Sequence, residues 1–143
     1  RIDGMKEWKG HVVLEGTAEG EAIVTKQPFG FFGGVDPTTG VIIDAWHELY
    51  GQSIKDKVFV FPEGKGSTVG AAIILELVRT GCAPVAMLNN TTEIITAAGG
   101  VIAKKFYDKD LPMIDNFDCD ISAEINTGDR VRIMDNGRVI VLD

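Results

Sequence analysis

The chain has 143 residues, of which 45% are hydrophobic, so it is long enough to form one domain with its own core and shows no signature of disorder or of a fibrous repeat. Its formal net charge of -7 and its scattered basic residues disfavour a polyanionic partner, so we expect the chain to bind neither nucleic acid nor an acidic membrane surface. Any anionic ligand must therefore be bound locally by a few groups.

Hydropathy and cysteine content predict a cytoplasmic protein. No apolar run approaches the roughly 20 residues that span a bilayer, and residues 1–10 lack the apolar core of a signal peptide. Cys82 and Cys119 are too few for a disulfide framework and suit reduced, buried thiols. Two thiols cannot by themselves hold an iron–sulfur cluster, and the two histidines, His11 and His47, lack metal-ligand spacing. We therefore predict no metal ligands in this chain.

The N-terminal part predicts strands separated by a long loop. Residues 11–14 and 21–25 are two β segments around a polar, glycine-containing turn, which indicates a hairpin. The glycine- and proline-rich residues 27–40 form a loop, and loops of this length inside a compact domain are usually functional. A short apolar strand follows at residues 41–43, and a stronger one, apolar on both faces as in a central strand, at residues 57–61.

The rest of the chain alternates strands and helices. Residues 67–80 have helical spacing, are apolar nearly all round and stop at Gly81, so this helix should be covered on more than one side. The remaining predicted elements are a strand at residues 85–88, a helix from Thr91 or Thr92 toward Lys105 with small residues at 97–100 for close packing, and strands at residues 111–114, 130–134 and 139–142. Asn-Gly between the last two strands is a strong hairpin signal. The fold class is thus α/β, β-rich at both termini with a central β-α-β-α-β segment.

The main candidate site follows the strand at residues 57–61, where a glycine-flanked turn runs into the first helix. Free backbone N–H groups and the helix dipole favour an anion at such a helix start. We predict that the turn binds a carboxylate or phosphate of the substrate through Gly64, Lys65, Gly66 and Thr68. A nucleotide-binding P-loop is not supported, because its first glycine would fall on Phe59 and Gly66 stands where its hydroxyl belongs.

Ser67 in the same turn has two interpretations. Serine at this position most often serves as a helix N-cap. Alternatively its hydroxyl is a base, which requires Lys65 and the helix dipole to lower the cost of an alkoxide. No histidine is near it in sequence and no Gly-x-Ser-x-Gly elbow is present, so a hydrolase triad has little support. For Lys65 the alternative is an ordinary solvated side chain.

Two loops are secondary candidates. The phenylalanines of residues 27–40 are either core residues or the cover of a pocket, and we predict a pocket loop formed by Phe32, Gly33, Gly34 and Asp36. Residues 89–92 lie where a strand ends and a helix begins, a usual ligand position in α/β proteins, although turn and cap chemistry explains them equally well. Asp44 and Glu48 are interpreted as a solvated face without a role.

Three segments in combination carry a family resemblance. They are Phe32-Gly33-Gly34-Val35-Asp36-Pro37-Thr38-Thr39-Gly40, Val60-Phe61-Pro62-Glu63-Gly64-Lys65-Gly66-Ser67-Thr68-Val69-Gly70 and Gly81-Cys82-Ala83-Pro84. They resemble the small, swivelling-domain subunit of the aconitase X family over nearly the whole chain. The resemblance implies a swivelling β/β/α domain, which we expect to form a single unit over residues 1–143, with residues 1–9 disordered or additional.

The resemblance also implies an activity. Members of the family dehydrate hydroxy acids, and the matched Ser67 is by resemblance the proton acceptor. A separate large subunit carries most of the iron–sulfur ligands and substrate contacts, so the chain is expected to be a hydro-lyase subunit that is active only with that partner. Archaeal members act on mevalonate 5-phosphate in a modified mevalonate pathway, and bacterial members act on cis-3-hydroxy-L-proline. Residues 65–70 are more similar to the archaeal form, which favours a phosphorylated hydroxy acid.

Two other classes of function stay open on sequence grounds. A non-catalytic module would hold a phosphate metabolite in the glycine-flanked turn and dock a regulatory partner on its apolar helices. A stand-alone enzyme would turn over substrate without a partner, and it is disfavoured. In the family interpretation, swivelling of the small domain onto the large one brings Ser67 to the substrate and excludes water.

Overall fold

The structure is a computed structural model that describes residues 6–142. These residues contain eight strands and three helices. The strands are β1 (Lys6–Lys9), β2 (His11–Leu14), β3 (Ala18–Val24), β4 (Val58–Val60), β5 (Ala86–Leu88), β6 (Met113–Asp115), β7 (Arg130–Ile133) and β8 (Arg138–Leu142). The helices are α1 (Thr68–Thr80), α2 (Ile94–Tyr107) and α3 (Ile121–Glu124). None of the helices among these residues has the length and apolar character of a membrane span.

The strands form one mixed sheet in the order β1-β8-β7-β3-β4-β5-β6-β2. Its centre is parallel, because β3, β4, β5 and β6 are joined in that order by parallel pairing. Antiparallel strands flank this centre: β7, β8 and β1 on one side and β2 on the other. Since β1 and β2 are consecutive yet lie at opposite ends of the order, the sheet curls into a nearly closed barrel.

Side chains that point alternately to the two faces of the central strands divide the core into two layers. Val58 and Val60 of β4 belong to a cluster that also contains Val131 and Val139 of the antiparallel strands. Phe59 belongs to the other cluster, which includes Ile74 and Leu77 of α1 and buried residues of the loop that precedes β4. Successive side chains of a strand point to opposite faces, and both faces of β4 are buried, which confirms the central strand predicted at residues 57–61.

The predicted β-α-β-α-β segment is confirmed. The helix predicted at residues 67–80 is α1, which ends at Gly81 with a φ of 76° and two backbone bonds back to the last turn. The predicted C-terminal hairpin is formed by β7 and β8. Its register leaves a three-residue loop, Asp135–Gly137, in which Asn136 and Gly137 have positive φ.

Four expectations differ from the structure. The segments at residues 11–14 and 21–25 are strands, but they do not form a hairpin, because β2 pairs with β6 and β3 pairs with β7 and β4. Residues 41–43 form only isolated bridges within the long loop. The second helix is capped by Glu93 rather than by Thr91 or Thr92. Residues 1–9 were expected to be disordered or additional, but Lys6–Lys9 form β1, and residues 1–5 lie outside the described residues.

Small residues allow α1 and α2 to pack closely, as expected from residues 97–100. A Cβ added at Gly99 of α2 would lie 2.9 Å from Cβ of Ile74 in α1. That atom is close to the backbone and cannot turn away. Gly70 in the first turn of α1 is different, because the nearest atoms to its added Cβ, on Ile95 and Phe31, are 3.9 and 4.0 Å away.

These distances predict opposite effects of the same substitution. Gly99→Ala should lower the free energy of unfolding by about 1–2 kcal/mol, because overpacking exceeds the gain in helix propensity. Gly70→Ala should leave it unchanged or raise it by up to about 1 kcal/mol, because alanine is the better helix former and meets no close atom. Urea unfolding followed by circular dichroism measures both. Equal effects of the two substitutions would contradict the packing described here.

Candidate functional site

The loop before β4 and the turn after it lie side by side. The backbone N–H of Phe29 donates to the carbonyl of Glu63 (3.1 Å), and the N–H of Lys65 donates to the carbonyl of Phe29 (3.0 Å). Phe29 therefore pairs with Gly64 as a short parallel bridge. This pairing places the glycine-rich loop at residues 30–34 against the start of α1.

A cleft of about 250 Å³ lies between these two segments. It is lined by Pro28, Gly30, Phe32, Gly33, Gly34, Asp44, Lys65, Gly66 and Ser67. Six residues predicted from the sequence thus line one cavity, although the two segments were predicted separately: Phe32, Gly33, Gly34, Lys65, Gly66 and Ser67. Three predicted site residues, Gly64, Thr68 and Asp36, do not line it. A larger depression of about 330 Å³, between β2 and the β7–β8 turn, contains none of the predicted residues.

Ser67 occupies the N-cap position of α1 but does not cap it through its side chain. Its backbone is extended (φ −157°, ψ 135°), and its hydroxyl makes no capping hydrogen bond. The first turn of α1 also contains no acidic residue. The positive end of the helix dipole is therefore not neutralised by a side chain of that turn, and the hydroxyl remains available in the cleft.

Lys65 is the basic group of the cleft. Its side chain is exposed and forms no ion pair with the residues that the structure describes. Asp44 lines the same cleft, and one oxygen of its carboxylate accepts the backbone N–H of Trp46 (3.0 Å). An anion in the cleft would thus meet an ammonium group and the start of a helix on one side.

The two interpretations of the phenylalanine loop apply to different residues. Phe29 and Phe31 are core residues, only 1% and 3% exposed, and their rings meet edge to face. Phe32 is 61% exposed and lines the cleft. Gly34 folds so closely over Gly30 that a Cβ would overlap the Gly30 carbonyl oxygen. The loop is therefore anchored in the core and presents Phe32 to the cleft.

Other candidate side chains are occupied within the protein. The Asp36 carboxylate accepts the N–H and the hydroxyl of Thr38 (2.9 and 2.7 Å), and these bonds hold its pKa below the ordinary value. The Asn89 amide donates to the carbonyl of Phe61 (2.8 Å), and Thr92 donates its hydroxyl to Asn89 (3.3 Å). Turn and cap chemistry thus accounts for Asp36, Asn89 and Thr92.

Two carboxylates near the site were missed from the sequence. The sequence predicts a solvated face for Asp44, yet this residue lines the cleft. Glu93 caps α2 and lies against the turn at residues 64–66, where a Cβ at Gly66 would be 3.1 Å from its Oε2. Glutamate is not a favoured N-cap residue, so the sequence contains no cap signal at this position.

The two cysteines form no metal site with other residues of the described part of the chain. Cys82 is buried and donates to the carbonyl of Thr38 (3.4 Å), and Cys119 is half-buried. Burial and three nearby carboxylates raise the pKa of the Cys119 thiol, which disfavours the thiolate that binds metals. Among residues 6–142 no three His, Cys, Asp or Glu side chains are grouped as a metal site requires.

Comparison with known proteins identifies the family of this chain. Residues 7–142 match the family described as "Aconitase X swivel domain". The phosphomevalonate dehydratase small subunits of Thermococcus gammatolerans and Thermococcus kodakarensis are 46% and 43% identical over 136 residues, which cover 94% of this chain and 97% and 96% of theirs. The crystal structure of the Thermococcus kodakaraensis aconitase X in its holo form superposes with a TM-score of 0.87 at 41% identity, covering 96% of this chain and 99% of that one. The chain therefore belongs to the aconitase X family, in which it is homologous to the small subunits of a dehydratase.

Proposed function

We propose that the chain is the small subunit of a hydro-lyase that dehydrates (R)-5-phosphomevalonate to trans-anhydromevalonate 5-phosphate. Residues 1–143 act as a single swivelling domain, and Ser67 accepts the proton. The observation that carries the proposal is the cleft between the two predicted segments, in which Ser67 and Lys65 lie together at the start of α1. The near-full-length similarity to phosphomevalonate dehydratase small subunits supports the choice of substrate.

The reaction removes a proton from the carbon next to the carboxylate and hydroxide from the adjacent carbon, and together these make up the water that is lost. It requires a base for the proton. A serine hydroxyl is a weak base, so its alkoxide must be stabilised. Ser67 lies at the positive end of α1, and no acidic residue of the first turn opposes that field. In the proposal, Lys65 adds a positive charge beside the substrate, and the backbone N–H of Thr68 adds a donor at the helix start.

Gly64 and Gly66 shape the turn in this proposal, since side chains there would meet the N-terminus of α2. Phe32, Gly33 and Gly34 form the apolar side of the cleft. Asp36 contributes indirectly through the turn that follows them.

The residues of this chain do not fit an iron–sulfur cluster, although the aconitase X family implies one. Such clusters take several cysteine thiolates, whereas this chain has two cysteines. Cys82 is buried, and the Cys119 thiol is held protonated by its raised pKa. We therefore place the cluster mainly on the large subunit. We also propose that the enzyme is cytoplasmic, since free thiols persist in that compartment.

The surface around the cleft favours a covering partner. Phe32 is 61% exposed at the cleft, and Trp46 is 95% exposed two residues from Asp44, which accepts its backbone N–H. Aromatic side chains of this kind are enriched at protein interfaces. In the proposal, the large subunit covers this end of the domain and excludes water from the reaction.

The substrate is tested with the small subunit purified in complex with its large subunit. We expect the complex to dehydrate mevalonate 5-phosphate and to leave cis-3-hydroxy-L-proline unchanged, because Lys65 and the helix start suit a second anionic group. Formation of the unsaturated product is followed by mass spectrometry. Turnover of cis-3-hydroxy-L-proline alone would overturn the assignment of substrate, and turnover of neither would favour a non-catalytic module.

Ser67→Ala should lower kcat of the complex by at least about 100-fold, the low end of what a positioned base contributes, while the subunits still assemble. Steady-state kinetics and size-exclusion chromatography measure the two properties. Ser53→Ala is the matched control, because Ser53 lies outside the cleft and its hydroxyl accepts the N–H of Lys55 (3.1 Å). Unchanged kcat in Ser67→Ala would reject the serine base.

Lys65→Gln should mainly raise KM. Loss of a charge-assisted hydrogen bond to an anion costs about 1.5–3 kcal/mol, which corresponds to about a 10- to 100-fold increase. The control is Lys55→Gln, since Lys55 is also exposed but lies outside the cleft. If the two variants have the same KM as the wild type, the ammonium group of Lys65 does not bind the substrate.

A further inference from the structure

The N-terminus of α2 lies directly against the turn that carries Ser67. The three heavy atoms nearest to a Cβ placed on Gly66 all belong to Glu93: Oε2 at 3.1 Å, Cδ at 3.3 Å and Cγ at 3.8 Å. A Cβ on Gly64 would lie 3.0 Å from the Thr96 hydroxyl and 3.1 Å from Cβ of Glu93. Neither glycine has a positive φ. Crowding by Glu93 at Gly66, and by Thr96 and Glu93 at Gly64, therefore disfavours a side chain at these two positions, whereas backbone conformation does not.

The side chain of Glu93 is itself held in place. Its Oε2 accepts the N–H of Ile95 (2.7 Å), and its Oε1 accepts the N–H and the hydroxyl of Thr96 (3.1 and 3.2 Å). These three bonds cap α2 and leave the carboxylate little rotational freedom. The surface that Glu93 presents to Gly66 is thus rigid.

The turn has few other supports at this point. On the Phe29 side, its last backbone bond is from the N–H of Lys65. The next backbone bond along the chain is internal to α1, from the N–H of Gly70 to the carbonyl of Ser67. Gly66 lies between these two bonds, at the point where Glu93 is its nearest non-adjacent side chain on the Cβ side.

We infer that Glu93 is a positioning residue for Ser67: its capped carboxylate supports Gly66 and so fixes where the serine hydroxyl lies in the cleft. The inference rests on the proposed function of Ser67. Glu93 does not line the cleft and is not assigned a contact with substrate. Its effect is geometric, because a displacement of a reacting group by about 1 Å can cost about 100-fold in rate.

The test uses the complex of both subunits with mevalonate 5-phosphate as substrate. Glu93→Ala should lower kcat about 10- to 100-fold with little change in KM, because the hydroxyl is displaced while Lys65 still binds the anion. Glu93→Gln keeps the bulk beside Gly66 but retains only one of the two acceptor oxygens, so its kcat should lie between those of Glu93→Ala and the wild type. The matched control is Asp120→Ala, which removes the N-cap of α3, where Asp120 accepts the N–H and the hydroxyl of Ser122 (3.1 and 2.6 Å). It should lower the unfolding midpoint like Glu93→Ala but leave kcat unchanged.

A double-mutant cycle with Gly66→Ala isolates the contact. Gly66→Ala should lower kcat in the wild type but have a much smaller effect in Glu93→Ala, where the atoms that meet the new Cβ are gone. Independent effects of the two substitutions, or an unchanged kcat in Glu93→Ala, would overturn the inference. Ser67→Ala measured in parallel separates the two proposals: if it keeps activity, the serine base fails, and if it alone loses activity, only the role of Glu93 fails.

Discussion

Two backbone hydrogen bonds at Phe29 determine where the cleft lies. They join a loop that precedes β4 to the turn that follows it, so segments more than 30 residues apart in sequence face each other. The Phe29 ring is 1% exposed and lies 5.0 Å from the rings of Phe31 and Phe59. Because the pairing is anchored in this aromatic cluster, the loop cannot move away from α1 without disrupting the core.

The cleft therefore has a rigid floor and an exposed rim. Its floor is backbone packed on the aromatic cluster, and its rim carries Phe32, Lys65 and Ser67. In the proposed enzyme this arrangement suits half of a site that the large subunit completes, since the polar groups are fixed in direction before the two subunits meet. In that proposal the exposed Phe32 and Trp46 lie in the interface.

The local elements were largely predictable from the sequence, whereas their pairing was not. Helix α1, strand β4 and the Asn-Gly hairpin have strong periodic or turn signals, and each was found. The pairing of β2 with β6 joins residues about 100 positions apart, and no local pattern encodes it. Ser67 and Lys65 could be predicted as cleft residues from their glycine-flanked turn. Asp44 and Glu93 could not be predicted, because their proximity to the cleft arises only from the tertiary fold.

The single residue between β1 and β2 has a further consequence. Gly10 donates its N–H to the carbonyl of Gly137 (2.9 Å) and separates two strands that protect opposite margins of the sheet. An unprotected margin is a template for pairing with another molecule. A short N-terminal stretch thus shields both the last strand of the chain and the final parallel strand. Removing it would make β8 and β6 the edge strands and would expose their backbone N–H and C=O groups to pairing with another molecule.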